Sequence, residues 1–65
     1  MLKIKEGKMN ELKDLKFEYH FYDRERPTWE KDGLTIIEDT REIINCNDNV
    51  LFDLIQAGLV EKVSD

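Results

Sequence analysis

Sixty-five residues leave room for one domain, 1–65, around a single small core. Such a core rarely yields more than ~3–5 kcal/mol without a staple, and the lone Cys46 excludes both an internal disulfide and a four-cysteine zinc site. A formal net charge of −5 argues against broad phosphate-backbone binding, which needs clustered Lys and Arg.

The charge is spread unevenly. Residues 1–16 carry five lysines against three acids, 17–33 three bases against five acids, and 34–65 two bases against seven acids. No run approaches the roughly 18 apolar residues of a membrane span. The opening Met1-Leu2-Lys3-Ile4-Lys5-Glu6 lacks the apolar stretch of a signal peptide. A cytoplasmic protein with no membrane partner is expected. Self-association is the remaining source of stability, so a homo-oligomer is expected, with a dimer favoured.

Leu2 and Ile4 alternate with Lys3 and Lys5, the pattern of a half-buried strand. Glu6-Gly7-Lys8 breaks it, and Asn10 is placed to cap a short helix through Glu11–Leu15. Phe17 to Tyr22 alternates again, with Phe17, Tyr19 and Phe21 on one face and Glu18, His20 and Tyr22 on the other. Pro27 lacks a backbone donor and biases Arg26 away from helix. Asp32-Gly33 is a turn signal closing Thr28–Lys31 onto Leu34–Glu38 as a hairpin. Asp39-Thr40 turns the chain into a further strand, Glu42-Ile43-Ile44.

The stretch Asn47 to Val63 has the clearest helix signals in the chain. Asn47, Asp48 and Asn49 are candidate N-caps. Leu51, Leu54 and Ile55 form a stripe that Phe52 widens, while Asp53 and Gln56 face solvent. Gly58 at C′ stops the helix, and Leu54 meets Leu59 in a Schellman ending. A helix of about nine residues is marginal alone, so its stripe must be buried on a sheet. The predicted architecture is α+β: a small, mainly antiparallel sheet with two short helices packed on one face, in the order β-α-β-β-β-β-α-β.

No residue set specifies catalysis, and no catalytic, cofactor-binding or metal-ligating residue is assigned. His20 is the only histidine, and ligand number is what specifies a metal site, so a structural or surface role is expected. Cys46 precedes the helix cap, where a thiol can be activated. Without an identifiable base and orienting group it reads as a cysteine packed in the core or against the cap. Glu38, Asp39, Glu42 and Asp48 do not match the spacing of an EF-hand loop. Phosphate-loop and hydrolase motifs are missing as well, so the chain reads as a non-enzyme.

The stretch Tyr22-Asp23-Arg24-Glu25-Arg26-Pro27-Thr28-Trp29 stands out, because Tyr, Arg and Trp dominate binding hot spots. Its candidate protein-binding residues are Tyr22, Arg24, Arg26 and Trp29, joined by the acids Glu38 and Asp39. The alternative is that Trp29 folds into the core and the arginines pair with neighbouring acids. Lys16-Phe17-Glu18-Tyr19-His20-Phe21 echoes a base-stacking strand, but Glu18 stands where glycine would be wanted. Nucleic acid is therefore an unlikely partner on these grounds.

Three segments carry a family resemblance. They are Leu2-Lys3-Ile4-Lys5-Glu6; Leu34-Thr35-Ile36-Ile37-Glu38-Asp39 with Arg41-Glu42-Ile43; and Leu51-Phe52-Asp53-Leu54-Ile55-Gln56-Ala57-Gly58-Leu59-Val60-Glu61-Lys62-Val63. Together they resemble small uncharacterised proteins of firmicute phages and prophages, over roughly half the chain. The resemblance implies action in a bacterial cytoplasm, by binding and blocking a host protein such as a CRISPR effector. The expectation is thus a non-enzymatic inhibitor or adaptor with a bacterial host protein as its partner. A self-assembling accessory protein, pairing through strand edges, is the alternative, and a single-stranded nucleic-acid binder is a remote third.

Overall fold

The computed structural model of the chain describes residues 1–21 and 26–64. Its elements are β1 (Leu2–Ile4), a 3-10 helix (Met9–Leu12), β2 (Glu18–His20), β3 (Thr28–Lys31), β4 (Leu34–Ile37), β5 (Ile43–Asn45), α1 (Asp48–Gln56) and β6 (Val60–Lys62). Among the described residues this is a small α+β domain of antiparallel sheets and one α-helix.

Strand pairing follows the turn chemistry. Asp32 (φ 47°) and Gly33 (φ 89°) both take left-handed angles, as a type I′ turn requires, and they close β3 on β4. A five-residue connection, residues 38–42, joins β4 to β5. It is closed by the Arg41 N–H donating to the Ile37 carbonyl (2.8 Å) and the Ile37 N–H to the Glu42 carbonyl (2.9 Å). The β4–β5 register shifts between Thr35↔Asn45 and Ile36↔Ile43, leaving Ile44 as the extra residue of a bulge. That bulge explains why Ile44 is exposed although it lies in a strand.

The single sheet expected from the sequence is two: β2-β3-β4-β5, and β1 paired with β6. β1 reaches the larger sheet at one bridge, Lys3↔Glu42. Beside it the Ile4 N–H donates to the Arg41 carbonyl (2.9 Å), and Arg41 Nε returns a bond to the Ile4 carbonyl (3.1 Å). The bulge bends β5 away after these contacts, so a longer ladder with β1 does not form. On β6 the residues bonded toward the β1 side alternate, and the backbone groups of Val60 and Lys62 face outward.

The first predicted helix is not an α-helix. Asn10 caps nothing, and the chain from Lys8 to Lys16 is held mainly by i→i−3 bonds, with the Lys13 N–H bonded to the Glu11 carbonyl, so it winds as tight 3-10 turns. The segment is too short to recover the cost of α-helix nucleation. It ends with Lys16 at φ 70°, the Phe17 N–H bonded to the Leu12 carbonyl (3.1 Å) and the Lys16 N–H to the Lys13 carbonyl (3.1 Å). This is a Schellman pattern, and its apolar pair, Leu12 and Phe17, is buried.

α1 ends the same way. The Leu59 N–H donates to the Leu54 carbonyl (3.1 Å) and the Gly58 N–H to the Ile55 carbonyl (3.0 Å), with Gly58 at φ 76°. At its start Asn47 Oδ1 accepts from the N–H groups of Asn49 (3.0 Å) and Val50 (3.5 Å). The other end of that amide, Nδ2, donates to the Asp32 carbonyl (2.7 Å) and ties the helix to the β3–β4 turn. Fixed at both ends, α1 buries Val50 and Leu54 with Leu51 half-buried, and Phe52 and Ile55 point outward. The expected stripe of Leu51, Leu54 and Ile55 is thus rotated by about one residue. Ile4, Leu12, Phe17, Trp29, Leu34, Ile36, Val50, Leu54 and Leu59 form the core cluster.

Three substitutions test this account, the first two by their opposite effects on left-handed positions. Lys16→Gly removes a left-handed non-glycine residue and is expected to stabilise by up to about 1 kcal/mol, whereas Gly58→Ala destabilises by about as much. Each shows as a shift of roughly 4–8 °C in Tm, in opposite directions, by circular dichroism. Arg41→Ala removes the guanidinium bond to Ile4 and is expected to cost about 1–2 kcal/mol in urea unfolding.

Candidate functional site

The registers of the larger sheet sort its side chains into two faces. Trp29 lies opposite Tyr19 on one side and Ile36 on the other, and this row faces the core. The opposite face carries the row Glu18, Glu30, Thr35 and Asn45, with His20 across from Thr28. Thr35 is buried there; its hydroxyl donates to Glu30 Oε1 (3.5 Å) and accepts from Asn45 Nδ2 (3.4 Å).

Glu18 and Glu30 oppose one another, which is unfavourable for like charges. His20 Nε2 lies between them, 3.1 Å from Glu30 and 3.6 Å from Glu18. These groups line an open depression of about 520 Å³ together with Lys16, Lys31, Asp32 and Gly33. Lys31 also donates to the Leu15 carbonyl (2.7 Å) and lies 5.9 Å from the Phe17 ring centroid. Its stem therefore closes the core edge while its charge stays near the rim. Among the described residues no group of three or more His, Cys, Asp and Glu side chains is placed to hold a metal ion. Cys46 is exposed, contrary to the packed position expected for it.

A second surface forms at one end of the same sheet, where β2 ends, β3 begins and the loop after β4 turns. Tyr19 stacks on Trp29 with ring centroids 5.0 Å apart and planes at 54°. Trp29 itself is 5% exposed, so this candidate contact residue belongs to the core. Its indole N–H is buried and has no hydrogen-bond partner among the described residues. Tyr19 remains 47% exposed, and Phe21, just past β2, is 62% exposed.

The nearby Glu38 carboxylate, as a hydrogen-bond acceptor for the protonated phenol and as a negative charge, pushes the Tyr19 pKa above the ordinary value of 10.0, with desolvation adding to the shift. The Glu38 N–H in turn donates to the Pro27 carbonyl (3.0 Å). Arg26 Nε lies 3.7 Å from Asp39 Oδ2, both side chains mostly in solvent. Arg26, Glu38 and Asp39 are thus brought together, while Tyr22 and Arg24 lie outside the described residues. Tyr19 was not singled out by the sequence, because strict alternation with Phe17 assigned it to the core.

Searches for relatives leave the chain by itself: no family model matches it, and neither a curated protein nor a solved structure gives a significant match.

The Tyr19–Glu38 contact sets a pH dependence. The folded phenol holds its proton above pH 10, where the unfolded one has lost it, so this contact's stabilisation is full below pH 10 and is lost as pH rises through the raised pKa. An absorbance titration of the protein minus that of Tyr19→Phe isolates this phenol. Its midpoint is expected above 10.0, falling toward 10.0 in Glu38→Gln.

Proposed function

We propose that the protein is a non-enzymatic, phage-type binding protein that docks on a bacterial host protein and modulates or inhibits it. The observation that carries this reading is the exposed Tyr19 and Phe21 beside the Arg26–Asp39 pair and Glu38. Aromatic and arginine side chains are the groups that dominate contact energetics when a partner excludes water from them. Tyr19 is preorganised for this role by its ring, which packs at a tilt against buried Trp29, so less side-chain entropy is lost on docking. The acidic balance of residues 34–65 favours a cationic target surface, of the kind found in nuclease grooves, and speeds encounter with it.

The test pairs the protein with Phe21→Ala/Arg26→Glu in tagged pull-downs from nuclease-treated bacterial lysate, read by mass spectrometry. One host protein at near-equal amount is expected with the native sequence and is lost with the double substitution, at unchanged thermal unfolding. Recovery of the protein alone would overturn the reading in favour of self-assembly in the cytoplasm. Retention of the same host protein by the double variant would move the contact elsewhere.

A further inference from the structure

The outer face of α1 is a second apolar surface that the fold does not use. Asp48, Phe52 and Ile55 fall at i, i+4 and i+7, one stripe turned away from Val50 and Leu54. Phe52 is 58% exposed and Ile55 52% exposed, against a core in which Leu54 is wholly buried. We propose that this stripe is a docking surface for a cationic amphipathic segment of a partner protein.

Charge decides the occupant. Between Arg41 and Lys62 the chain carries Glu42, Asp48, Asp53 and Glu61 and not one basic residue. Both acids on α1 are exposed: Asp48 lies on the stripe itself, one turn before Phe52, and Asp53 lies about 100° round the helix from Phe52. A segment that offers apolar side chains to Phe52 and Ile55, flanked by Lys or Arg, satisfies both features at once. A second copy of this chain does not, because each copy carries −5 and a two-fold contact on this face would bring like carboxylates together. An anionic lipid surface is disfavoured by the same charges.

The inference extends the proposal that this is a binding protein, but it uses a different surface from the one at Tyr19. Its probe is a labelled amphipathic helical peptide of leucine and lysine, compared with a leucine–glutamate peptide by fluorescence anisotropy at low salt. The lysine peptide is expected to bind at least about tenfold more tightly, a difference of ~1.4 kcal/mol. Phe52→Ala/Ile55→Ala, two exposed positions where alanine favours helix, is expected to lose that tenfold while the melting curve is unchanged. Asp48→Asn/Asp53→Asn is expected to flatten the salt dependence.

Absence of binding, or binding equal in the Phe52→Ala/Ile55→Ala protein, would overturn the proposal, since charge alone would then account for it. Sedimentation showing a dimer that Phe52→Ala/Ile55→Ala dissolves would also overturn it, by giving the stripe to a second copy. A host protein captured from lysate and still held by the helix variant would sink this inference and leave the binding reading intact. Failure to capture any host protein would count against the binding reading and leave the peptide result to stand by itself.

Discussion

Two hydrogen bonds running in opposite directions between Arg41 and Ile4 join the two sheets. The bond from the Ile4 N–H uses only backbone, but the return bond needs the guanidinium, and the geometry needs Arg41 at φ 65°. A non-glycine residue held there costs on the order of 1 kcal/mol. Glycine would remove that cost and the second bond with it. Arginine is thus a compromise between local backbone preference and a side-chain hydrogen bond that reaches across the seam. Ile4, fully buried on the far side, depends on that seam for its place in the core.

The core is closed by a motif used twice. Leu12 with Phe17, and Leu54 with Leu59, are each the apolar pair of a Schellman ending, and all four side chains are buried. The two endings lie side by side, as a small recess between them is lined by Glu11, Asp14 and Leu15 from one and Ala57 and Leu59 from the other. In a chain this short, turns that deliver two core side chains each replace the longer helices of a larger domain.

The parts of this fold legible in the sequence are those fixed by local chemistry. Asp32-Gly33 demands a type I′ turn wherever it falls between strands, and Asn47 and Gly58 mark the ends of α1 by capping alone. What sequence reasoning missed depends on contacts distant in the chain. The rotation of α1 was ambiguous because Val50, Leu51, Phe52, Leu54 and Ile55 offer two overlapping apolar stripes; the bond from Asn47 to Asp32 and the docking of Leu59 select one. Lys16 and Arg41 took left-handed angles with no glycine to announce them. At the candidate site, Arg26 and Asp39 were recognisable as charges on loops, and Glu38, read as the last residue of a strand, lies just past the end of β4. Trp29 and Tyr19 share one face of the sheet, and what separates them is position: β3 is an inner strand, whereas β2 is the edge strand and leaves Tyr19 exposed.

The outward backbone of β6 has a consequence for how copies of this protein behave toward one another. A strand edge is a template for any extended chain, a second copy of the same strand included. In the antiparallel register that pairs all of Val60–Lys62 with a duplicate, Glu61 falls against Glu61. Sliding by two residues toward the C-terminus sets Lys62 against Lys62 instead. Like charges directly opposite weaken either pairing, while a foreign strand with a basic residue at that position meets no such penalty. The arrangement of Glu61 and Lys62 thus sets a charge condition on whatever strand would extend β6.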